Sequence, residues 1–147
     1  MTVIFIILLA LVFGAGFACV FAFILTQYRL MLKIKPERRA FQPWLLWLMF
    51  IPGIHYLAAW YFLPFGIPQS LRNTVSTKGR AQVRLLFQLG LGIQLLPVLD
   101  FLTGWNTLTN MLIFATLLVL FVLYWRTSYK IGKKYLRSKS ETHEHHS

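Results

Sequence analysis

His55 and Asp100 are the only histidine and the only carboxylate inside the long apolar runs of this 147-residue sequence. A histidine titrates near neutrality, and a carboxylate in lipid faces a bundle interior, a cavity or the headgroups. Brought together, the two could relay a proton or hold a ligand. Each also has a plainer expected role. Asp100 stands five residues before Trp105, about 7.5 Å along a helix, which would put it at headgroup level. His55 follows Pro52, and a proline frees a backbone carbonyl that an imidazole N–H can bond. Gln88 and Gln94 are six apart, share no tight face, and suit hydrogen bonds between helices. His143, His145 and His146 could take a transition metal, but "ETHEHHS" (Glu141–Ser147) reads first as a flexible polar tail. HExxH, G-x-x-x-x-G-K-[ST], G-x-S-x-G and CxxC are all missing, so no enzyme, metal or cofactor is expected. Cys19 is the single cysteine, which excludes an intrachain disulfide.

The elements that must position these residues are four apolar runs: Val3–Leu25, Trp44–Ile67, Leu85–Trp105 and Thr107–Trp125. The chain is 57% hydrophobic with a mean hydropathy of +0.61, too apolar for an ordinary soluble domain. Each run approaches or exceeds the roughly 20 residues that cross a ~30 Å hydrocarbon layer, and a backbone in lipid must be helical to pair its polar groups. The first run has no Lys or Arg before it and is long for a signal sequence, so an uncleaved helix is expected. The second run is interrupted by Pro52-Gly53. Proline suits the start of a new helical arm and glycine allows a close backbone approach, so the chain either turns back here or only kinks.

Charge placement bears on that choice. The 15 Lys and Arg against 4 Asp and Glu give a net charge of +11. They flank apolar runs rather than forming a soluble module, which argues for topology and against nucleic acid. Arg29, Lys33, Lys35, Arg38 and Arg39 follow run one; Arg72, Lys78, Arg80 and Arg84 follow run two. Arg126, Lys130, Lys133, Lys134, Arg137 and Lys139 follow run four. Short basic loops stay cytoplasmic. Four full crossings with the first end inside leave ten basic residues inside and five outside, whereas a re-entrant second run puts all fifteen inside. The aromatic pairs Trp44/Trp47 and Trp60/Tyr61 fit two belts of a kinked span or one shared interface of a re-entrant segment.

Ala10, Gly14, Ala18 and Ala22 recur every four residues, and Thr26 extends the series. Such a stripe lets helix backbones approach closely, and the expected neighbour is another helix of the same chain rather than another subunit. Arg29, Lys33, Lys35, Arg38 and Arg39, with Arg126, Lys130, Lys133, Lys134 and Arg137, would meet anionic lipid at the cytoplasmic face.

The segment "PWLLWLMFIPGIHYLAAWYFLPFGIPQSLRN" (Pro43–Asn73) resembles small uncharacterised multi-pass membrane protein families of bacteria, in which a Trp-rich apolar segment runs into Ile-Pro. "VLYWRTSYKIGKKYL" (Val122–Leu136) is similar to their closing segment. The resemblance implies a bacterial inner-membrane address and no particular activity. The expected fold is an all-α integral membrane protein in one membrane domain, residues 1–137, with a flexible tail at 138–147. It has three transmembrane helices, about 3–27, 85–103 and 107–136, plus a fourth segment, 44–67, broken at 52–53 and re-entrant or kinked. A four-helix transmembrane bundle is the alternative. The expected function is that of a non-catalytic accessory, assembly or scaffold subunit whose partners are membrane lipids and another membrane protein or itself. The alternative is a small transporter or channel unit built on the broken segment with His55 and Asp100.

Overall fold

A computed structural model describes residues 2–103 and 107–134, and every regular element among them is helical. Three helices are long and apolar enough to cross a membrane: α1 (Thr2–Leu32), α4 (Arg80–Thr103) and α5 (Thr107–Lys134). Between α1 and α4 lies a helical hairpin. Its outgoing arm is an eight-residue 3-10 helix, Pro43–Phe50, and its return arm runs through α2 (Ile54–Tyr61), a π-helical turn (Phe62–Gly66) and α3 (Ile67–Arg72).

The chain turns back at Pro52-Gly53. Gly53 has φ +88° and ψ −44°, a conformation that a side chain would oppose, and it is the one positive-φ glycine among the described residues. The arms then meet along their length. Phe41 lies against Phe62, with ring centroids 4.6 Å apart. The Ala40 N–H donates to Ser70 Oγ at 2.8 Å, and Arg38 Nη1 reaches the Asn73 carbonyl at 3.5 Å. Tyr61 sits beside Phe41, which brings the two aromatic pairs of this segment towards the same end. A kinked rod would have carried Arg38 and Asn73 to opposite ends.

α1 and α5 run parallel, since Phe23 meets Phe121 and Tyr124, Gln27 meets Ser128, and Leu30 meets Gly132. α4 is antiparallel to α5, with Gly92 against Leu120. The C-terminal end of α1, the N-terminal end of α4 and the C-terminal end of α5 therefore share one end of the molecule, and the hairpin's open end joins them there. Basic residues of all three clusters gather at that end. Arg137, Lys139 and the expected tail lie outside the described residues.

Two helices outrun the expected bounds. α1 continues to Leu32 because Leu30 and Met31 are buried, so Gln27, Tyr28 and Arg29 belong to a packed helix rather than to a loop. α4 begins at Arg80 because Val83 and Leu86 face the core and the turn Thr77–Gly79 leads directly into it.

Candidate functional site

The elements converge on one backbone carbonyl, that of Leu63. In the π-helical turn the Ile67 N–H reaches back five residues to Phe62 O. The next bond of that register would run from residue 68 to Leu63 O, but Pro68 has no N–H. A buried carbonyl without a donor costs roughly 1–3 kcal/mol. Tyr124 supplies one: its hydroxyl donates to Leu63 O at 2.9 Å from a fully buried position on α5. On the other side α4 passes so close that a Cβ on Gly90 would lie 2.7 Å from Leu63 O. Pro68 thus leaves a polar gap in the hairpin, and a tyrosine and a glycine on two other helices close around it.

One turn further along α5 a second polar group joins it to α1. Gln27 Nε2 donates to Ser128 Oγ at 2.8 Å, and Ser128 Oγ donates to the Trp125 carbonyl at 2.9 Å. The Trp125 indole N–H donates to Thr26 Oγ1 at 3.3 Å, and Thr26 in turn donates to the Ala22 carbonyl. Gly132 lets Leu30 lie against α5, where a Cβ would meet Leu30 Cδ1 at 2.8 Å. These groups tie helices together and form no row of polar side chains along the molecule.

At the basic end, Arg39 donates to the carbonyl of Leu32, the last residue of α1, at 3.1 Å, and to that of Ile34, just beyond it, at 2.8 Å. Arg29, Lys33, Lys35 and Arg38 are exposed nearby, as are Arg126, Lys130, Lys133 and Lys134 on α5. Arg29, Lys33 and Lys133 line a shallow cleft between α1 and α5.

The small-residue stripe has a different fate from the expected one. Ala10, Gly14 and Ala18 are exposed, and a Cβ on Gly14 or Gly16 would meet nothing within 4 Å. Among the described residues no other helix covers Ala10, Gly14 or Ala18; Ala22 is half-buried where the bundle begins. The reason is the hairpin. Its outgoing arm runs back along α1 with Trp47 beside Phe21 and Phe50 beside Phe17, and its ring contacts reach no further, so Ala10 and Gly14 lie beyond them.

His55 is half-buried near the hairpin's turn, with its ring 4.1 Å from that of Tyr56 and its backbone N–H donated to Ile51 O. The carbonyl it bonds lies just before Pro52, and the bond is made by the backbone rather than the imidazole. Asp100 is half-buried towards the far end of α4. Measured along their helices from the Leu63–Gly90 approach, His55 and Asp100 lie roughly 12 and 15 Å out, in the same direction. Their heights are thus similar, but the described contacts of His55 do not include Asp100.

Sequence reasoning missed Tyr124, Ser128, Gly90 and Gln27. The available signals were the Pro64/Pro68 pair, which removes donors from one helical arm, and the spacing of Tyr124, Ser128 and Gly132 on a single face. Comparison with known proteins finds no family model that matches the chain, no similar curated protein and no similar solved structure.

Proposed function

We propose that the chain is a small non-catalytic multi-pass protein of a bacterial cytoplasmic membrane, an accessory, assembly or scaffold subunit that acts through helix packing and contact with anionic lipid. α1, α4 and α5 span, and the hairpin enters from the cytoplasmic side and returns to it. α1, α4 and α5 are roughly 46, 36 and 42 Å long, enough for a ~30 Å layer, whereas the outgoing arm of the hairpin covers only ~16 Å. The gathering of the basic clusters at one end supports a cytoplasmic placement of that end, and with it of the C-terminus.

The observation that carries the subunit reading is the bare outer half of α1. From Val3 to Gly16 it is exposed on every side, and it carries Ala10 and Gly14 of the stripe of small residues suited to close backbone contact. Another membrane protein, or a second copy, would pack there. Cysteines at Ala10, Gly14 and Ala18 in a Cys19→Ala background should crosslink to a neighbour in cells. A protein that stays monomeric in detergent and captures nothing would overturn the reading. Sidedness is tested separately with single cysteines at Gln42, Ser76 and Thr107 and an impermeant maleimide. Thr107 should label in intact cells, and Gln42 and Ser76 only after permeabilisation; labelling of Gln42 in intact cells would replace re-entry by a fourth crossing. The transporter alternative requires His55 and Asp100 to share a site, and no described contact favours it.

A further inference from the structure

The return arm of the hairpin and the first turns of α4 enclose a cleft of ≈ 590 Å³ at the basic end. Arg72, at the end of α3, and Arg80 and Arg84, one turn apart at the start of α4, line it. All three are exposed, and none of their guanidinium groups has a hydrogen-bond or ion-pair partner among the described residues. Arg38 and Arg39, by contrast, are bound to backbone carbonyls. The only described carboxylates are Glu37 and Asp100, and neither lines the cleft.

This arrangement opposes folding. Like charges four residues apart on a helix repel. Positive charge at a helix N-terminus also opposes the macrodipole. An anion among the three guanidiniums would reverse both effects, and phosphate suits them because a guanidinium can grip two of its oxygens at once. The cleft is larger than a phosphate needs; Gln69 and Asn73 add polar groups to its lining, and one wall is apolar: Phe65 and Phe87, with ring centroids 5.8 Å apart, and the rings of Pro64 and Pro68.

We propose that Arg72, Arg80 and Arg84 form a site for one phosphate-bearing amphiphile, a lipid whose phosphate sits among the guanidiniums while its apolar part lies against Phe65 and Phe87. The proposal rests on the membrane reading above and adds to it a site with one occupant, where a general attraction of basic residues to anionic lipid would have many.

The test uses the full-length chain in a neutral detergent, titrated with phosphatidylglycerol, phosphatidylcholine or inorganic phosphate, with bound lipid counted by native mass spectrometry. Phosphatidylglycerol should be retained at one molecule per chain. Arg80→Gln with Arg84→Gln should weaken that binding at least about tenfold, the scale of losing a charged hydrogen bond, and Arg72→Gln should act in the same direction. Arg126→Gln with Lys130→Gln removes equal charge elsewhere and should weaken it less than about twofold. Phe65→Ala should weaken lipid retention while helical circular dichroism stays unchanged. Equal losses in the two double variants, or no loss in either, would overturn the site. Inorganic phosphate that displaces the lipid at equal concentration would overturn the lipid assignment and leave a site for soluble phosphate. Because the count is made in detergent, failure of the site is read independently of the cysteine labelling that tests membrane sidedness.

Discussion

The two halves of α1 belong to one unbroken helix and have opposite surroundings. From Val3 to Gly16 the helix is bare, and Gly14 and Gly16 face open space. From Phe23 to Met31 it supplies four of the core's buried apolar side chains: Phe23, Ile24, Leu30 and Met31. Hydropathy measures preference for a medium and carries no information about which neighbour fills it. What separates the halves is the set of shapes presented by other elements: the aromatic arm of the hairpin and the Tyr124–Gly132 face of α5 reach only one of them. The glycines show the same contrast, since Gly90 and Gly132 are pressed against neighbours and Gly14 touches none.

Substitutions can break this contrast or sharpen it. The largest effect is expected for Gly90→Leu. A side chain there would drive into the Leu63 backbone and should destabilise the bundle by about 3 kcal/mol or more, read as a fall in the midpoint of SDS-induced unfolding. Tyr124→Phe keeps the packing and withdraws the donor from Leu63 O, and about 1–3 kcal/mol should be lost in the same assay. A smaller loss would show that the carbonyl has another donor once the hydroxyl is gone. Gly53→Ala imposes a Cβ on a positive-φ turn at the hairpin's tip and should cost about 1–2 kcal/mol. Least of all, Gly14→Leu should leave the unfolding midpoint within about 0.5 kcal/mol while reducing crosslinking through Ala10 and Ala18. A Gly14→Leu variant as unstable as Gly90→Leu would erase the distinction between the two regions.

Much of the architecture is legible in the sequence because it rests on local signals. Long uncharged runs become long helices, and a Pro-Gly pair in mid-run becomes a reversal of direction. Basic clusters mark ends, and the structure brings those ends together. The stripe on α1 is equally visible, but its neighbour is not. Small residues record that something can approach closely, not whether it belongs to the same chain. The Tyr124–Leu63 bond joins residues 61 apart in sequence, and only the missing N–H of Pro68 hints that Leu63 needs a donor. Arg72, Arg80 and Arg84 read as loop charge until α3 and α4 are seen to place them around one cleft. The outgoing arm is legible as helical but not as a 3-10 helix.

The reversal at Gly53 also has an electrical consequence. A membrane potential negative on the cytoplasmic side opposes moving positive charge outward by about 2.3 kcal/mol per charge for every 100 mV. A full crossing of the second run, with the first end inside, would export Arg29, Lys33, Lys35, Arg38 and Arg39. In the proposed orientation the hairpin carries its apolar residues into the layer while all five stay where they were synthesised. In that orientation, one glycine in an unusual conformation would spare the cell work that grows with the voltage it maintains.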